Sequence, residues 1–390
     1  MTPTDFDQPI DRIGTHSLKW DAMQTFHGVS PEDGIAMWVA DMDFRAPQAV
    51  TRALTELTEQ GIYGYYGDDG DYFANIAWWM KTRHQWEIEK DWIFSTHGLV
   101  NGTAMCVETF SEPGDAVILM TPVYHAFAKI IRAAGREVRE CPMPQRDGRY
   151  EMDLAGWQDL LTGNEKIVVL CSPHNPGGRV WHASELKALA AFCQRNDLIL
   201  VSDEIHHDLV FAGHQHTIMA KAAPEALDRI IVLSAATKTF NLAGAHVGNV
   251  IIADPGLRAA FTARMQGLGM SPNGFGVHMV TAAYSPEGAQ WVDALLPYLQ
   301  ENCRLFDHGI DQINGARSMT LESTYLAWVD FSGTGMSDAT LASRVREEAK
   351  IAVNLGPTFG QGGTQWLRFN LATQRDRVVE AIARLQRVFG

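Results

Sequence analysis

Lys238 stands at an unusual place in the chain, near the centre of residues 234–244, which read SAATKTFNLAG. The apolar run 230–233 before it predicts a buried strand, so the lysine follows a strand end within a loop. Its neighbours are small and leave space for a ligand to approach the amine. An amine in such a position can act as a nucleophile or as a base. Taken alone, the pattern also suits an ordinary surface lysine.

Four other predicted strands are followed by residues with matching chemistry. Gly98 opens a predicted helix, whose first N–H groups and positive dipole end can hold a phosphate. Tyr124, Asn175 and Asp203 follow the next three strands and offer an aromatic face, an amide and an acid. The run before Asp203 is so apolar that its carboxylate must be paired or functional. Because ligands of open α/β sheets bind outside the carboxyl ends of the strands, we expect these side chains to converge.

A lysine, an acid, an aromatic ring, an amide and a phosphate cradle together suit pyridoxal phosphate. Lys238 is expected to form a Schiff base with this cofactor, and Asp203 to pair with the pyridinium nitrogen. Keeping that nitrogen protonated makes the ring an electron sink, and a carboxylate in an apolar setting does this well. The sequence therefore predicts a pyridoxal-phosphate enzyme.

The elements that position these residues alternate between short apolar runs and helical patterns from residue 92 onwards. This alternation is typical of an α/β domain with a largely parallel sheet. A helix is predicted after Pro47, another over 126–134, and a third along Leu186, Leu189, Ala190 and Cys193. Strands are predicted at 92–94, 116–120, 166–170, 198–201, 230–233 and 249–252.

The C-terminal part of the chain predicts a smaller domain. A helical pattern over 288–313 contains Pro297 and carries the chain out of the large domain. Alternation over 324–331 and 366–372 predicts strands. A closing helix has the apolar stripe Val378, Ile382, Leu385 and Phe389. We predict two domains, a large one over 46–287 and a small one formed by 1–45 and 288–390.

The composition excludes several classes of protein. The 32 basic and 46 acidic residues give a formal net charge of −14, without blocks of Lys or Arg, which argues against a nucleic-acid or anionic-membrane surface. No apolar run approaches the roughly 18 residues of a membrane span, and the N-terminal residues do not resemble a signal peptide. The five cysteines lack Cys-x-x-Cys spacing and suggest reduced core residues, so we expect a cytoplasmic protein.

Two other kinds of site are disfavoured. The spacing of His206, His207, His214 and His216 matches no common zinc pattern, so surface or supporting roles are favoured and no metal is expected. The glycines of HNPGG, residues 174–178, lack the GxGxxG pattern of a dinucleotide site.

Six motifs in order carry a resemblance to a known family: MWVADMDF, PVYHAF, SPHNPGGRVW, SDEIHHDLVF, KTFNLAG and LRFNLAT. The set resembles the fold-type I pyridoxal-phosphate enzymes, specifically the MalY/PatB group of cystathionine β-lyases within the class I/II aminotransferase superfamily. The resemblance runs from about residue 37 to the C-terminus. It implies a large domain with a mostly parallel sheet sandwiched by helices, a smaller α+β domain, and a homodimer with shared active sites.

The resemblance assigns roles around the cofactor ring. It implies that Lys238 forms the Schiff base and that Asp203 pairs with the pyridine nitrogen. Asn175 is expected to hydrogen-bond the ring oxygen, and Tyr124 to stack on the ring. His206 stands where aminotransferases proper usually have a tyrosine, as in the lyase group.

The resemblance also assigns the phosphate. Gly98, Leu99, Ser234 and Thr237 are expected to hold it, joined by Tyr65 from the other subunit of the dimer. One departure concerns the position eight residues after the lysine, where many relatives carry an arginine and this chain has a histidine, His246. Phosphate binding then relies on backbone groups and hydroxyls, and we expect weaker or pH-dependent cofactor affinity.

For the substrate, the resemblance implies that Arg368 clamps the α-carboxylate bidentately, with Ala40 and Tyr124 also in contact. The leading interpretation is β-elimination from an S-substituted cysteine such as cystathionine, which gives a thiol, pyruvate and ammonia. Transamination between an amino acid and a keto acid is the alternative. A non-enzymatic descendant is disfavoured because Lys238, Asp203, Asn175 and Arg368 are all present.

Overall fold

The computed structural model of the protein describes residues 5–67 and 69–390. Residues 1–4, which begin the predicted small-domain segment 1–45, lie outside the described residues, as does residue 68 in the Gly- and Tyr-rich loop. The strands are β1 Ile35–Ala36, β2 Ile93–Thr96, β3 Ala116–Thr121, β4 Glu137–Pro142, β5 Gln145–Arg146, β6 Arg149–Tyr150, β7 Glu165–Cys171, β8 Ile199–Asp203, β9 Ile230–Ser234, β10 Gly248–Ile251, β11 Arg317–Ser318, β12 Leu326–Asp330, β13 Ile351–Ala352, β14 Asn354–Leu355 and β15 Trp366–Asn370. The α-helices are α1 Leu18–Asp21, α2 Met23–His27, α3 Gln48–Gln60, α4 Gly70–His84, α5 Leu99–Phe110, α6 His125–Ala133, α7 Leu154–Gln158, α8 Ala183–Arg195, α9 Met219–Ala222, α10 Ala236–Thr239, α11 Pro255–Gly267, α12 Gly274–Ala283, α13 Pro286–Ile310, α14 Asp338–Glu347 and α15 Arg375–Phe389. Short 3-10 helices cover Lys90–Trp92, Pro224–Ala226, Ala243–Ala245, Ser332–Thr334 and Gly356–Phe359.

The larger sheet has seven strands in the order β2-β10-β9-β8-β7-β3-β4. The five strands β9, β8, β7, β3 and β4 are all parallel to their neighbours within this group. Strand β10 runs antiparallel to both β9 and β2. Strands β3 and β9 are buried along their whole length, as expected where helices cover both faces. The predicted α/β fold with a largely parallel sheet is confirmed, and each predicted strand of this sheet is present with ends shifted by at most two residues.

Strand β4 and helix α4 are among the elements that the sequence did not predict. Strand β4 reads EVRECP and is mostly half-buried, because an edge strand alternates charged with apolar residues instead of forming an apolar run. Helix α4 begins at Gly70, a poor helix former, and Asp69 before it makes no side-chain capping bond. Its buried residues nevertheless recur at helical spacing, and this periodicity could have predicted the helix. They include Tyr72, Ile76, Trp79 and Met80.

The second sheet is antiparallel, with the order β11-β12-β15-β14, and contains the strands predicted from 324–331 and 366–372. Separately, β1 pairs in parallel with β13. Helix α13 contains Pro297 and packs against α15. Helix α13 begins at Pro286 and so contains the predicted boundary after residue 287. The domain limits, 46–287 for the large domain and 1–45 with 288–390 for the small one, stay a prediction. No helix within the described residues is both long and apolar enough to cross a membrane.

Segment 37–44, the MWVADMDF motif, runs without regular structure between elements of the two sheets and is held by two asparagine side chains. The Asn370 amide donates to the carbonyls of Val39 and Asp41. The Asn241 amide donates to the carbonyls of Met42 and Phe44 at 2.9 and 3.0 Å and accepts from the Met42 N–H at 2.9 Å. These bonds satisfy backbone groups of a segment without regular structure, and they fix its path.

A buried charge cluster anchors the far end of segment 37–44. The Asp43 carboxylate accepts from Lys19 Nζ, Trp20 Nε1 and Arg12 Nη1, each at 2.9 Å. The Lys19 and Asp43 side chains are completely buried. Although burial opposes ionisation, Lys19 and Arg12 lower the pKa of Asp43 to about 2. The carboxylate therefore stays ionised and paired at neutral pH.

Replacing Asp43 by Asn is expected to destabilise the fold strongly, because the buried Lys19 then loses its nearer counter-ion and keeps only Asp41, at 3.8 Å. The loss in unfolding free energy should be about 3–5 kcal/mol, measured by urea denaturation. Asp33→Asn is the matched control, since Asp33 also pairs with a lysine, Lys350, but both side chains are about half exposed. A loss from Asp43→Asn no larger than that from Asp33→Asn would contradict this account of the cluster.

Candidate active site

A cavity of about 220 Å³ lies at the carboxyl ends of the parallel strands. Its wall brings together most of the residues singled out in the sequence: Ala40, Gly98, Leu99, Tyr124, Asn175, Asp203, His206, Thr237 and Lys238. Three others lie elsewhere. Ser234 is buried at the end of β9, Arg368 is buried behind Asn175, and Tyr65 is fully exposed on its loop.

Lys238 lies on the short helix α10, which begins two residues after β9 ends. Its Nζ donates a hydrogen bond of 2.6 Å to the carbonyl of Ala40, in segment 37–44. Burial lowers the pKa of Lys238 to about 8. The free, nucleophilic form of the amine is therefore reached at a much lower pH than in an ordinary lysine.

Asp203 ends β8 and is 5% exposed. Its Oδ1 accepts from the backbone N–H of Ile205 at 3.1 Å, and no cation forms an ion pair with it among the described residues. Burial raises the pKa of Asp203 to about 7. A carboxylate kept in this environment is suited to bind a ligand that carries a positive charge.

An anion site lies beside these two groups, where β2 gives way to α5. Gly98 precedes the helix with φ +86°, a conformation that strains any residue with a side chain. The helix start turns free N–H groups and a positive dipole end toward the cavity. Thr237 lines the same cavity, and the buried Ser234 Oγ has no hydrogen-bond partner among the described residues. These donors suit a phosphate.

Arg368, on β15, is buried without a carboxylate partner in the described part of the chain. Its Nη1 donates to Asn175 Oδ1 at 2.9 Å, and its Nη2 to Asn354 Oδ1 at 2.6 Å and to the Trp38 carbonyl at 3.0 Å. Its Nε has no partner among the described residues. Burial lowers the pKa of Arg368 to about 10, so it remains a cation at neutral pH that can still bind an anion.

Two further side chains shape the site without having been predicted. Asn354 pairs with Arg368 across the β14–β15 ladder, and β14 has only two residues, too few for a sequence pattern. The Tyr325 hydroxyl donates to the Ala40 carbonyl at 3.1 Å, and its ring meets His206 edge to face at 6.1 Å. The alternation over 324–331 placed Tyr325 on a strand but gave no sign of its contact with Ala40.

The two histidines of the site differ in their environments. Burial lowers the pKa of His206 to about 3, so its imidazole is neutral, and its Nδ1 has no partner among the described residues. His246 is exposed at the cavity wall, where it adopts a left-handed conformation with φ 47°. Among the described residues that line the cavity there is no arginine.

Comparisons with known proteins agree with this arrangement. The Aminotransferase class I and II profile matches residues 33–385. Cystathionine beta-lyase PatB of Bacillus subtilis is 37% identical over 378 residues, which cover 95% of this chain and 97% of PatB. A PLP-bound putative aminotransferase from Clostridium difficile 630 superposes with a TM-score of 0.95 at 32% identity, covering 99% of this chain and 100% of that one. Cystalysin from Treponema denticola, which contains a pyridoxal 5'-phosphate cofactor, superposes with a TM-score of 0.93 at 34% identity. The match covers 99% of this chain and 98% of cystalysin.

The matched region extends over nearly the whole chain and includes every strand end that contributes to the cavity. The chain belongs to the aminotransferase class I and II family.

Proposed function

We propose that the protein is a pyridoxal-phosphate-dependent C–S β-lyase. Its substrate would be cystathionine or a related S-substituted cysteine, and its products a thiol, pyruvate and ammonia. The observation that carries the proposal is the placement of the Lys238 amine and the unpaired Asp203 carboxylate on the wall of one cavity. The similarity to PatB, a cystathionine beta-lyase, supports the reaction type.

The fit to the cofactor rests on groups that lack partners. The Asp203 carboxylate suits the pyridinium N–H, and Ser234 Oγ, Thr237 and the start of α5 suit the phosphate. When bound, pyridoxal phosphate supplies an electron sink for the electron pair left at the substrate Cα. Tyr124 borders the cavity as a ring that can stack on it, and Asn175 as a donor to its oxygen.

The chain's own residues divide the remaining work. Lys238 Nζ would hold the cofactor, and its lowered pKa would leave it able to accept the proton from the substrate Cα. Arg368 binds the substrate carboxylate and so fixes the orientation of Cα toward Lys238. Asp203 holds the proton on the ring nitrogen.

Transamination is the second candidate, favoured by the similarity to the putative aminotransferase from Clostridium difficile 630. An aminotransferase for acidic substrates needs a cation to bind the side-chain carboxylate. Arg368, behind Asn175, is already assigned to the α-carboxylate. The described residues of the cavity wall include no further arginine and one lysine, Lys238. This composition supports the lyase.

We infer further that the enzyme is a cytoplasmic homodimer in which Tyr65 contacts the phosphate bound to the other subunit. Ile62, Tyr63 and Tyr65 are exposed on one loop, and Tyr63 packs 5.6 Å from the exposed ring of Phe275. Such an apolar patch supports a subunit interface. The five free, buried cysteines support a reducing compartment.

The pKa of Lys238 predicts how the apoprotein takes up its cofactor. Below about pH 8 the amine is protonated and unreactive, and above it the amine is free. The rate of uptake, followed by the visible absorbance of added pyridoxal phosphate, should therefore rise between about pH 7 and pH 9. Lys238→Ala should form no covalent adduct at any pH and show no turnover. A rate independent of pH, or near-normal turnover of Lys238→Ala, would contradict the assignment.

Asp203→Asn should keep the fold and the cavity but lower the rate by several orders of magnitude, because a neutral amide no longer holds the pyridinium proton. The measurement is kcat with pyruvate as product, at confirmed cofactor content. Asp197→Asn is the control: this acid is exposed and has φ 50°, which asparagine tolerates. If Asp203→Asn costs less than tenfold, about 1.4 kcal/mol of barrier, Asp203 is not the partner of the nitrogen.

The reaction type is tested with cystathionine. The lyase should release pyruvate and ammonia in equal amounts without any added keto acid. Both products are measured by coupled assays, with and without a keto acid. Product that appears only when a keto acid is supplied, together with conversion of that keto acid to its amino acid, would replace the lyase by the aminotransferase.

The role of Tyr65 is tested with mixed subunits. Lys238→Ala and Tyr65→Phe subunits should form hybrid dimers with one intact site, since the intact Tyr65 would serve the intact Lys238 of the other subunit. Equal mixing should recover up to about a quarter of the wild-type activity. Confirmed subunit exchange without recovery would place Tyr65 in the site of its own subunit, or outside any site.

A further inference from the structure

A second cluster of ionisable groups lies behind the cofactor cavity, around Asp208. The Asp208 Oδ1 accepts from Trp79 Nε1 at 2.9 Å and lies 2.8 Å from His84 Nε2. Its Oδ2 accepts from Thr239 Oγ1 at 2.8 Å and lies 3.3 Å from His207 Nε2. The side chains of His84, His207 and Asp208 are all buried. Two imidazole nitrogens thus face the two oxygens of one carboxylate.

The orientation of His207 leaves one ring nitrogen available. Its Nδ1 hydrogen-bonds the backbone carbonyl of Glu204, and since a carbonyl only accepts, this nitrogen carries the proton. In the neutral ring, Nε2 then carries a lone pair, and this nitrogen faces Asp208 Oδ2. It has no hydrogen-bond partner among the described residues. Two facing lone pairs repel each other unless a cation, either a proton or a metal ion, lies between them.

The charge balance of the cluster also calls for a positive charge, which either a protonated imidazole or a metal ion can supply. Asp208 and Glu204 are both buried, and neither is paired with a lysine or an arginine in the described part of the chain. Glu204 Oε2 lies 2.8 Å from His216 Nε2, and His216 Nδ1 has no partner among the described residues. A histidine oriented by a carboxylate or a carbonyl through one nitrogen, with the other free, is the usual arrangement around a metal ion.

The cluster can be reached from solvent. A cavity of about 240 Å³ is lined by His84, His207, Asp208 and His216 and also by the exposed Gln85. Arg83 borders this cavity, but its guanidinium pairs with Asp293 at 2.8 Å. A small cation can therefore approach the cluster beside His84, the most accessible of the three side chains.

We propose that His84, His207 and Asp208 form a binding site for a divalent transition-metal ion, with Zn²⁺ as its best match. Their ligand atoms all lie within 4.8 Å of one another, so small shifts bring them to the bond lengths of about 2.0–2.2 Å that zinc requires. Two imidazoles and one carboxylate are a common protein ligand set for such ions. Water would complete the coordination.

This proposal differs from what the sequence favoured. The spacing of His206, His207, His214 and His216 indicated no metal, but His84 lies 124 residues before Asp208, on α4. No spacing rule covers that distance. The ion would stabilise the position of Asp208, whose Oδ2 holds Thr239 at the end of α10, next to Lys238. The site is structural, and it lies outside the cofactor cavity.

The test uses the holoenzyme, treated with a chelator, desalted, and then given ZnCl₂. We expect about one zinc per chain to remain after gel filtration, measured by atomic absorption. His84→Gln and His207→Gln should each weaken zinc affinity at least about tenfold in competition with a zinc-sensing dye. His214→Gln is the control, because His214 borders the same cavity but is exposed and outside the trio. Cofactor absorbance and circular dichroism check that each variant is folded.

Failure to retain zinc would overturn the proposal, as would folded His84→Gln and His207→Gln variants that bind zinc like the wild type. A second measurement does not depend on variants. The zinc X-ray absorption spectrum of the wild-type protein should show about two imidazole nitrogens with oxygen at about 2.0–2.2 Å. A spectrum with sulfur ligands, or with water alone, would show that the ion binds elsewhere.

Discussion

The hydrogen bonds from two asparagine side chains to segment 37–44 are the constraint on which the active site depends. Beyond Met37, whose backbone bonds Ala352 of β13 and Asn370 of β15, the segment has no regular ladder, and side chains satisfy many of its carbonyls. Asn241 follows the lysine loop of the large sheet, and Asn370 ends β15 of the small sheet. Because both hold the same segment, the Ala40 carbonyl is fixed where it contacts Lys238 and Tyr325.

The site keeps two opposite charges near each other but unpaired. Asp203 and Arg368 are both buried, yet Asn175 accepts from Arg368 and no ion pair joins the two. Burying charges without a counter-ion costs free energy, which the rest of the fold must offset. A ligand with a cationic ring nitrogen and a carboxylate recovers that free energy when it binds. The arrangement therefore favours zwitterionic amino acids joined to a protonated cofactor.

The parts that the sequence predicted are those with local patterns. Apolar runs located the parallel strands, and Lys238, Asp203 and Asn175 followed from the rule that ligands bind at strand ends. Elements without such runs were missed: β4 is a charged edge, and α4 begins at Gly70 without a side-chain cap. The neighbours of Arg368 could not be predicted, since Asn354 and Trp38 meet it only through the small sheet and segment 37–44. Contacts between distant parts of the chain leave no periodic signal.

The bonds from Asn370 to segment 37–44 also constrain the order of events during synthesis. Val39 and Asn370 are separated by 331 residues, and Arg377 of α15 reaches Asp43 at 3.6 Å. The strands of the large sheet are all made before β15 leaves the ribosome. That sheet can therefore form before Asn370 holds segment 37–44 in place. Closing a loop of this length carries a large entropic cost, which the already folded sheet reduces by holding the ends near each other. The active site can therefore be completed only after β15 has been made, later than every strand of the large sheet.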